Sequence, residues 1–207
     1  MNYDYEPIIP PFEKDSSLFT KKETKKYFAW FTATSPKRVK YLQQIVSDDL
    51  QIDASLIDLS PDSLVYVWRW FLHNARTEPA PLSDIQRIEK ELSDYPRPFV
   101  QRFIDLGRER YTFATLCMLV DAAMYIGETF IDNNPTLYWS YYEKPKTDFF
   151  VNKPVIAGFV DKNYEPPFKM YFEPVNMVSV QAAHIWDDTQ DEQDLLSLYR
   201  LWTSYVE

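Results

Sequence analysis

Residues 110–132, RYTFATLCMLVDAAMYIGETFID, carry apolar side chains on almost every face of a helix built on them. A helix that is apolar all round belongs in a core, packed by neighbours on every side. Gly127 interrupts the pattern mildly, and Asn133-Asn134-Pro135 ends it. Asp121 breaks the continuous apolar run Phe113–Val120 well short of the ~20 residues that a membrane helix requires. This segment therefore predicts a central buried helix, and the rest of the chain is arranged around it.

Upstream, start signals for helices recur. Thr20 with Glu23 reads as a capping box, in which each side chain satisfies a free backbone N–H of the other. The helix it opens carries Tyr27, Phe28, Trp30 and Phe31. Ser35-Pro36 has the form of a second start, Ser as cap and Pro at the first helical position, followed by Val39, Leu42, Ile45 and Val46 at helical spacing. Ser60-Pro61 repeats it before Leu64, Val67, Trp68 and Phe71. YFAWF (27–31) and VWRWF (67–71) look alike, but no fixed period relates their surroundings, so they are not a repeat. Residues 77–82 read as a Pro-containing loop, and Ser83 with Gln86 as the capping box of a short charged helix.

Downstream the period changes. Residues 137–142, 155–160 and 168–173 are β-prone or alternate, with Phe168, Met170 and Phe172 on one side and Lys169, Tyr171 and Glu173 on the other. A helix follows Pro174, and Thr189 with Glu192 opens a last one bearing Leu195, Leu198, Tyr199 and Trp202. Helices, then strands, then helices make the fold class α+β: mostly helical, a central buried helix, and a small antiparallel sheet in the C-terminal third. Residues 1–19 read as an extended Pro-containing segment and 20–207 as a single α+β domain.

Composition narrows the function. The chain has 207 residues, 45% hydrophobic and 17% aromatic, which is ample for a core. Its formal charge of −9 repels phosphate backbones, so no nucleic acid is expected as partner. The basic runs Lys21–Lys26 and Lys37–Lys40 read as solvated helix faces. The first residues lack a basic and an apolar region, so no secretory signal is read and a cytoplasmic location without membrane insertion is expected. Three glycines, Gly107, Gly127 and Gly158, form no phosphate-cradling cluster. Two histidines, His73 and His184, with the single Cys117 cannot complete a structural zinc site, and a metal held by carboxylates, though open, has no spacing to support it; no metal or cofactor is expected. Cys117, within the apolar run, reads as a small hydrophobe. His184 stands near Asp187 and Asp188, but neighbours in sequence do not make a triad.

Two groups remain as candidate binding residues. Asp121, Tyr125 and Glu128 recur at i, i+4 and i+7, one face of the central helix. Buried carboxylates need cations, donors or a wet pocket, and Arg69, Arg102, Arg110, Lys144 and Lys146 are the candidate partners. The second group is aromatic: Trp68, Trp70 and Trp139. On a helix Trp68 and Trp70 point about 200° apart, so one of them is expected to border a pocket or partner surface.

YFAWF (27–31), IDLSPDSLVYVWRWF (57–71), DAAMYIGETFIDNNP (121–135) and KPVIAGF (153–159) together resemble an uncharacterised family of small acidic bacterial proteins. That resemblance implies a bacterial, cytoplasmic protein and transfers no activity or catalytic residue. Small acidic bacterial proteins commonly act as immunity partners of toxins, an analogy of class. The reading favours a protein-binding module over an enzyme, with an acidic, aromatic surface for a basic partner. The alternative is a small-molecule-binding protein or hydrolase with a carboxylate pocket at Asp121 and Glu128.

Overall fold

The computed structural model describes residues 5–142, 148 and 150–206; the side chains of Phe99, Arg102, Phe103, Leu106 and Asp187 lie outside that description. The fold is α+β and mostly helical, as the sequence predicts. Two compact units are present, one built on Asn74–Met118 with residues up to Pro7, the other on Ile8–His73 with Leu119–Glu207.

In the larger unit, helix α1 runs unbroken from Lys21 to Leu50. The Thr20/Glu23 capping box opens it, Glu23 Oε2 accepting from the Thr20 N–H at 2.8 Å. It ends at Gln51, which takes the left-handed conformation at φ 53°. The break expected at Ser35-Pro36 is absent. Pro36 forfeits one ladder hydrogen bond inside the helix. Ser35 caps nothing; its hydroxyl reaches out to Glu128 instead. One stripe of α1 therefore carries Tyr27, Phe31, Ser35 and Arg38 at i, i+4, i+8 and i+11.

Helix α2 spans Ser63–Asn74, and the central helix, here α5, spans Phe113–Asn133. Of the apolar window in α5, 72% is buried within the protein. Three antiparallel strands follow in the order β3 (Tyr138–Tyr141), β4 (Pro154–Asp161), β5 (Phe168–Phe172). A register shift between Ile156 and Phe159 accompanies Gly158, whose φ of 112° suits glycine alone. Helix α6 (Pro174–Ala182), a short 3-10 turn and α7 (Asp194–Thr203) complete the unit. The Thr189/Glu192 start is not used; α7 begins at Asp194 with Gln193 before it and no side-chain cap.

An aromatic cluster joins these elements. Phe130 of α5 lies 5.4 Å from Phe159, 5.0 Å from Phe172 and 4.6 Å from Tyr199, ring centre to ring centre. Trp202 lies 5.0 Å from Phe172. Edge-on and offset pairs of this kind contribute about 0.5–1.5 kcal/mol each beyond the area they bury.

The smaller unit holds α3 (Leu82–Glu91) and α4 (Arg97–Leu106) between two short strands, β1 (Thr77–Pro79) and β2 (Glu109–Tyr111). The strands pair antiparallel, with Arg110 opposite Glu78 and donating to it at 2.9 Å. Residues 77–79, expected as loop, thus form an edge pair. Pro81 precedes α3 and no side chain caps it, so Ser83 and Gln86 make no capping box.

Candidate functional site

The face of α5 singled out by its carboxylates is buried and satisfied. Asp121 is fully buried, and the Arg38 guanidinium clasps it, Nε lying 2.9 Å from Oδ1 and Nη2 2.5 Å from Oδ2. Arg38 is itself 6% exposed, with its guanidinium 4.6 Å above the Tyr41 ring. A two-point pair in a dry setting holds both charges, and removing either partner strands the other.

Arg38 was not among the cations expected to meet Asp121. Its place in the basic run Lys37–Lys40 reads as solvated face, yet the unbroken helix turns it inward between two exposed lysines. Of the expected cations, Arg69 pairs with Glu192 at 2.8 Å and Arg110 with Glu78, both at the surface. The Arg102 side chain, Lys144 and Lys146 lie outside the described residues.

Glu128, half-buried, accepts at Oε1 from the Ser35 hydroxyl at 2.6 Å and from the Trp139 indole N–H at 3.0 Å. Gly127 makes that second bond accessible. A Cβ there would stand 2.5 Å from the Trp139 ring, so only glycine lets the indole lie against α5. Tyr125 turns to other partners: its hydroxyl meets Ser63 Oγ at 2.7 Å and accepts from the Leu59 N–H at 3.1 Å. Burial pushes the Tyr125 pKa up to about 12, against those two bonds.

Trp68 and Trp70 are both fully buried, contrary to the expectation that one borders a surface. Helix α2 is covered on both of those sides. Trp68 stacks on Phe71 at 4.7 Å, and the Trp70 indole donates to Asp49 at 2.8 Å. The Trp68 N–H is the buried side-chain polar atom without a partner among the described residues. His184 meets Asp194 at 3.2 Å, and the Asp187 side chain lies outside the described residues. No grouping of three or more His, Cys, Asp or Glu suited to a metal ion occurs among the described residues.

A cavity of about 280 Å³ lies elsewhere in the larger unit. Tyr27 and Phe31 of α1, Ser16 of the lead segment, Lys153 and Pro154 at the start of β4, and Glu173, Val175, Asn176 and Ser179 around the start of α6 form its wall. Glu173 is only 3% exposed. It stands at the N-cap of α6, where its Oε2 accepts from the Asn176 N–H at 2.7 Å, and Pro174 follows at the first helical position. Burial pushes the Glu173 carboxyl above its ordinary range, opposed by the Asn176 N–H and then by the charge of Lys153. Burial, and then the Glu173 charge, raise the Tyr27 hydroxyl as well.

None of the six residues singled out from the sequence lines this cavity. Trp139 touches one residue of its wall, its ring 5.1 Å from that of Phe31. Glu173 escaped notice because strand alternation sends it to the side opposite Phe172, which reads as solvent. The signal that could have found it is Glu-Pro at the junction of a strand and a helix. A carboxylate there is drawn to the first N–H groups of the helix and held close to the core. No protein-family model, curated protein or solved structure matches this chain.

Proposed function

We propose that this chain is a small-molecule-binding protein whose ligand occupies the cavity beside Glu173. One observation carries the reading: a carboxylate 3% exposed stands in the wall of a cavity of about 280 Å³. Among the described residues no side chain stands in ion-pair contact with it. A buried charge without a cation in contact is unfavourable, and a concavity with a few convergent polar groups is the usual form of a ligand site. In this reading the carboxylate pocket expected at Asp121 and Glu128 gives way to one at Glu173. Asp121 is neutralised by Arg38, whereas Glu173 keeps its capacity for a ligand.

The test is thermal unfolding of the whole chain against a library of soluble metabolites. A ligand that binds only the folded state raises the unfolding temperature by mass action, about 2.7 kcal/mol at a hundredfold excess over Kd. The expected result is at least one compound that stabilises the protein and loses its effect in Glu173→Gln. A library without such a compound overturns the reading.

A second reading, a protein-binding module, draws support from the β4–β5 connection. Tyr164 and Phe168 are each 61% exposed there, with ring centres 5.9 Å apart, beside Asp161 and Glu165. Exposed aromatics flanked by acids suit a basic partner, drawn in by the charge of −9. Capture of a basic protein at low salt, lost in the double variant Tyr164→Ser with Phe168→Ser, supports this reading; unchanged capture by that variant removes it.

A further inference from the structure

We infer that the Glu173 cavity takes the cationic end of an organic amine, a primary ammonium that donates to the Glu173 carboxylate beside the Tyr27 and Phe31 rings. The inference rests on the reading of the cavity as a ligand site and deepens it.

The sign of the ligand follows from the charges around the cavity. Glu173 is buried, and its Oε2 accepts a backbone N–H, that of Asn176, rather than a bond from a cation. Lys153 lines the same cavity and has a partner of its own. Its charge reaches two carboxylates, Asp15 as well as Glu173, in each case behind nearer hydrogen-bond donors. One lysine shared by two carboxylates leaves a negative excess among these three charges. A buried carboxylate gains most from a donor that is itself charged, because charge-assisted hydrogen bonds are about twice as strong as neutral ones.

The rings favour the same sign. Tyr27 and Phe31 both line the cavity from one stripe of α1. Tyr27 belongs to a chain of rings, Phe12 to Phe19 at 5.1 Å and Phe19 to Tyr27 at 5.4 Å. Two members of that chain already hold ammonium groups of the protein: Lys26 Nζ stands 5.3 Å over Phe12 and Lys14 Nζ 5.9 Å over Phe19. Among the described residues no such cation stands over Tyr27 or Phe31. Ring faces attract cations through their quadrupoles, so these two are suited to a cation from outside.

Further acceptors complete the site, since a primary ammonium carries three N–H donors. The Ser179 hydroxyl lines the wall and donates to the Val175 carbonyl at 2.7 Å, which leaves its oxygen to accept. The Tyr27 hydroxyl, kept protonated by burial and then by the Glu173 charge, offers another oxygen. Phe31, Pro154 and Val175 give apolar surface for the carbon chain behind the ammonium. The ligand class is thus set by its charged end and not by its size.

The experiment is calorimetric titration of the full chain with butylamine, benzylamine and phenethylamine at neutral pH. Each is compared with the alcohol that carries a hydroxyl in place of the ammonium, and with the acid that carries a carboxylate there. The expected result is at least one amine binding about tenfold or more tightly than its alcohol, and tighter still than its acid. In Glu173→Gln that amine should fall to the affinity of its alcohol. The analogue comparison uses the natural protein, so it stands even if the variant folds poorly. An alcohol or acid that binds as tightly as its amine overturns the cationic assignment and leaves the ligand-site reading standing. So does a metabolite that binds through Glu173 when none of the three amines binds. A preference for the amine that survives in folded Glu173→Gln overturns the part given to Glu173. If neither the amines nor any metabolite binds, both readings fail.

Discussion

Two carboxylates are buried among the described residues of the larger unit, and they differ in what neutralises them. Asp121 is clasped by Arg38 from the neighbouring helix. Glu173 accepts a backbone N–H and faces a cavity, with Lys153 acting only at longer range. Burial alone therefore does not mark function. A buried charge with its partner built in holds the fold together, whereas one left for a partner from outside is held at some expense of stability.

The sharpest way to break that contrast is at Asp121. Asp121→Asn leaves the Arg38 charge buried without its counterion and should cost about 3–5 kcal/mol, read as a lower denaturant midpoint at unchanged slope. Replacing both partners by apolar residues, Arg38→Met with Asp121→Leu, should recover most of that loss. A double variant no better than the single would mean the pair does more than neutralise itself.

Next in size is Gly127→Ala. The added methyl meets the Trp139 ring and should cost about 1–3 kcal/mol by overpacking, with a change in indole fluorescence as Trp139 leaves Glu128. Tyr125→Phe removes the acceptor of the Leu59 N–H and a partner of Ser63, an expected loss of about 1–3 kcal/mol in the same assay. Arg69→Ala serves as baseline: its pair with Glu192 is solvent-exposed, and the change should stay below about 1 kcal/mol.

The elements were legible where the local pattern had one solution. An all-round apolar stretch broken by Asp121 reads as a core helix, and three β-prone runs after Pro135 read as partners of one another. Pattern failed where a local signal had two uses. Ser35-Pro36 has the form of a helix start, but a proline inside a helix forfeits a single hydrogen bond and the packing of α1 outweighs that. Once α1 is continuous, Tyr27 and Phe31 reach the cavity while Ser35 and Arg38 reach Glu128 and Asp121, all from one stripe. Reading a break at Ser35 hid that stripe, and Arg38 with it. Glu173 was hidden for another reason: its environment comes from Ser16, Tyr27 and Lys153, positions 20 to 157 residues away that no window along the chain can bring together.

Glu173→Gln tests the central contrast most directly, because the amide can still accept the Asn176 N–H while the charge is gone. With its folded-state pKa raised above the ordinary 4.5, Glu173 favours folding while protonated, and that contribution is lost as pH rises through the folded-state value. The Tyr27 hydroxyl facing it is pushed above its ordinary value by burial, and then by the Glu173 charge, so it stays protonated across that window. Thermal unfolding of the two proteins at neutral pH should therefore show the variant more stable, with the difference vanishing below pH 4.5. A variant less stable at neutral pH, with a loss like that of Asp121→Asn, would make Glu173 a structural carboxylate and contradict the account.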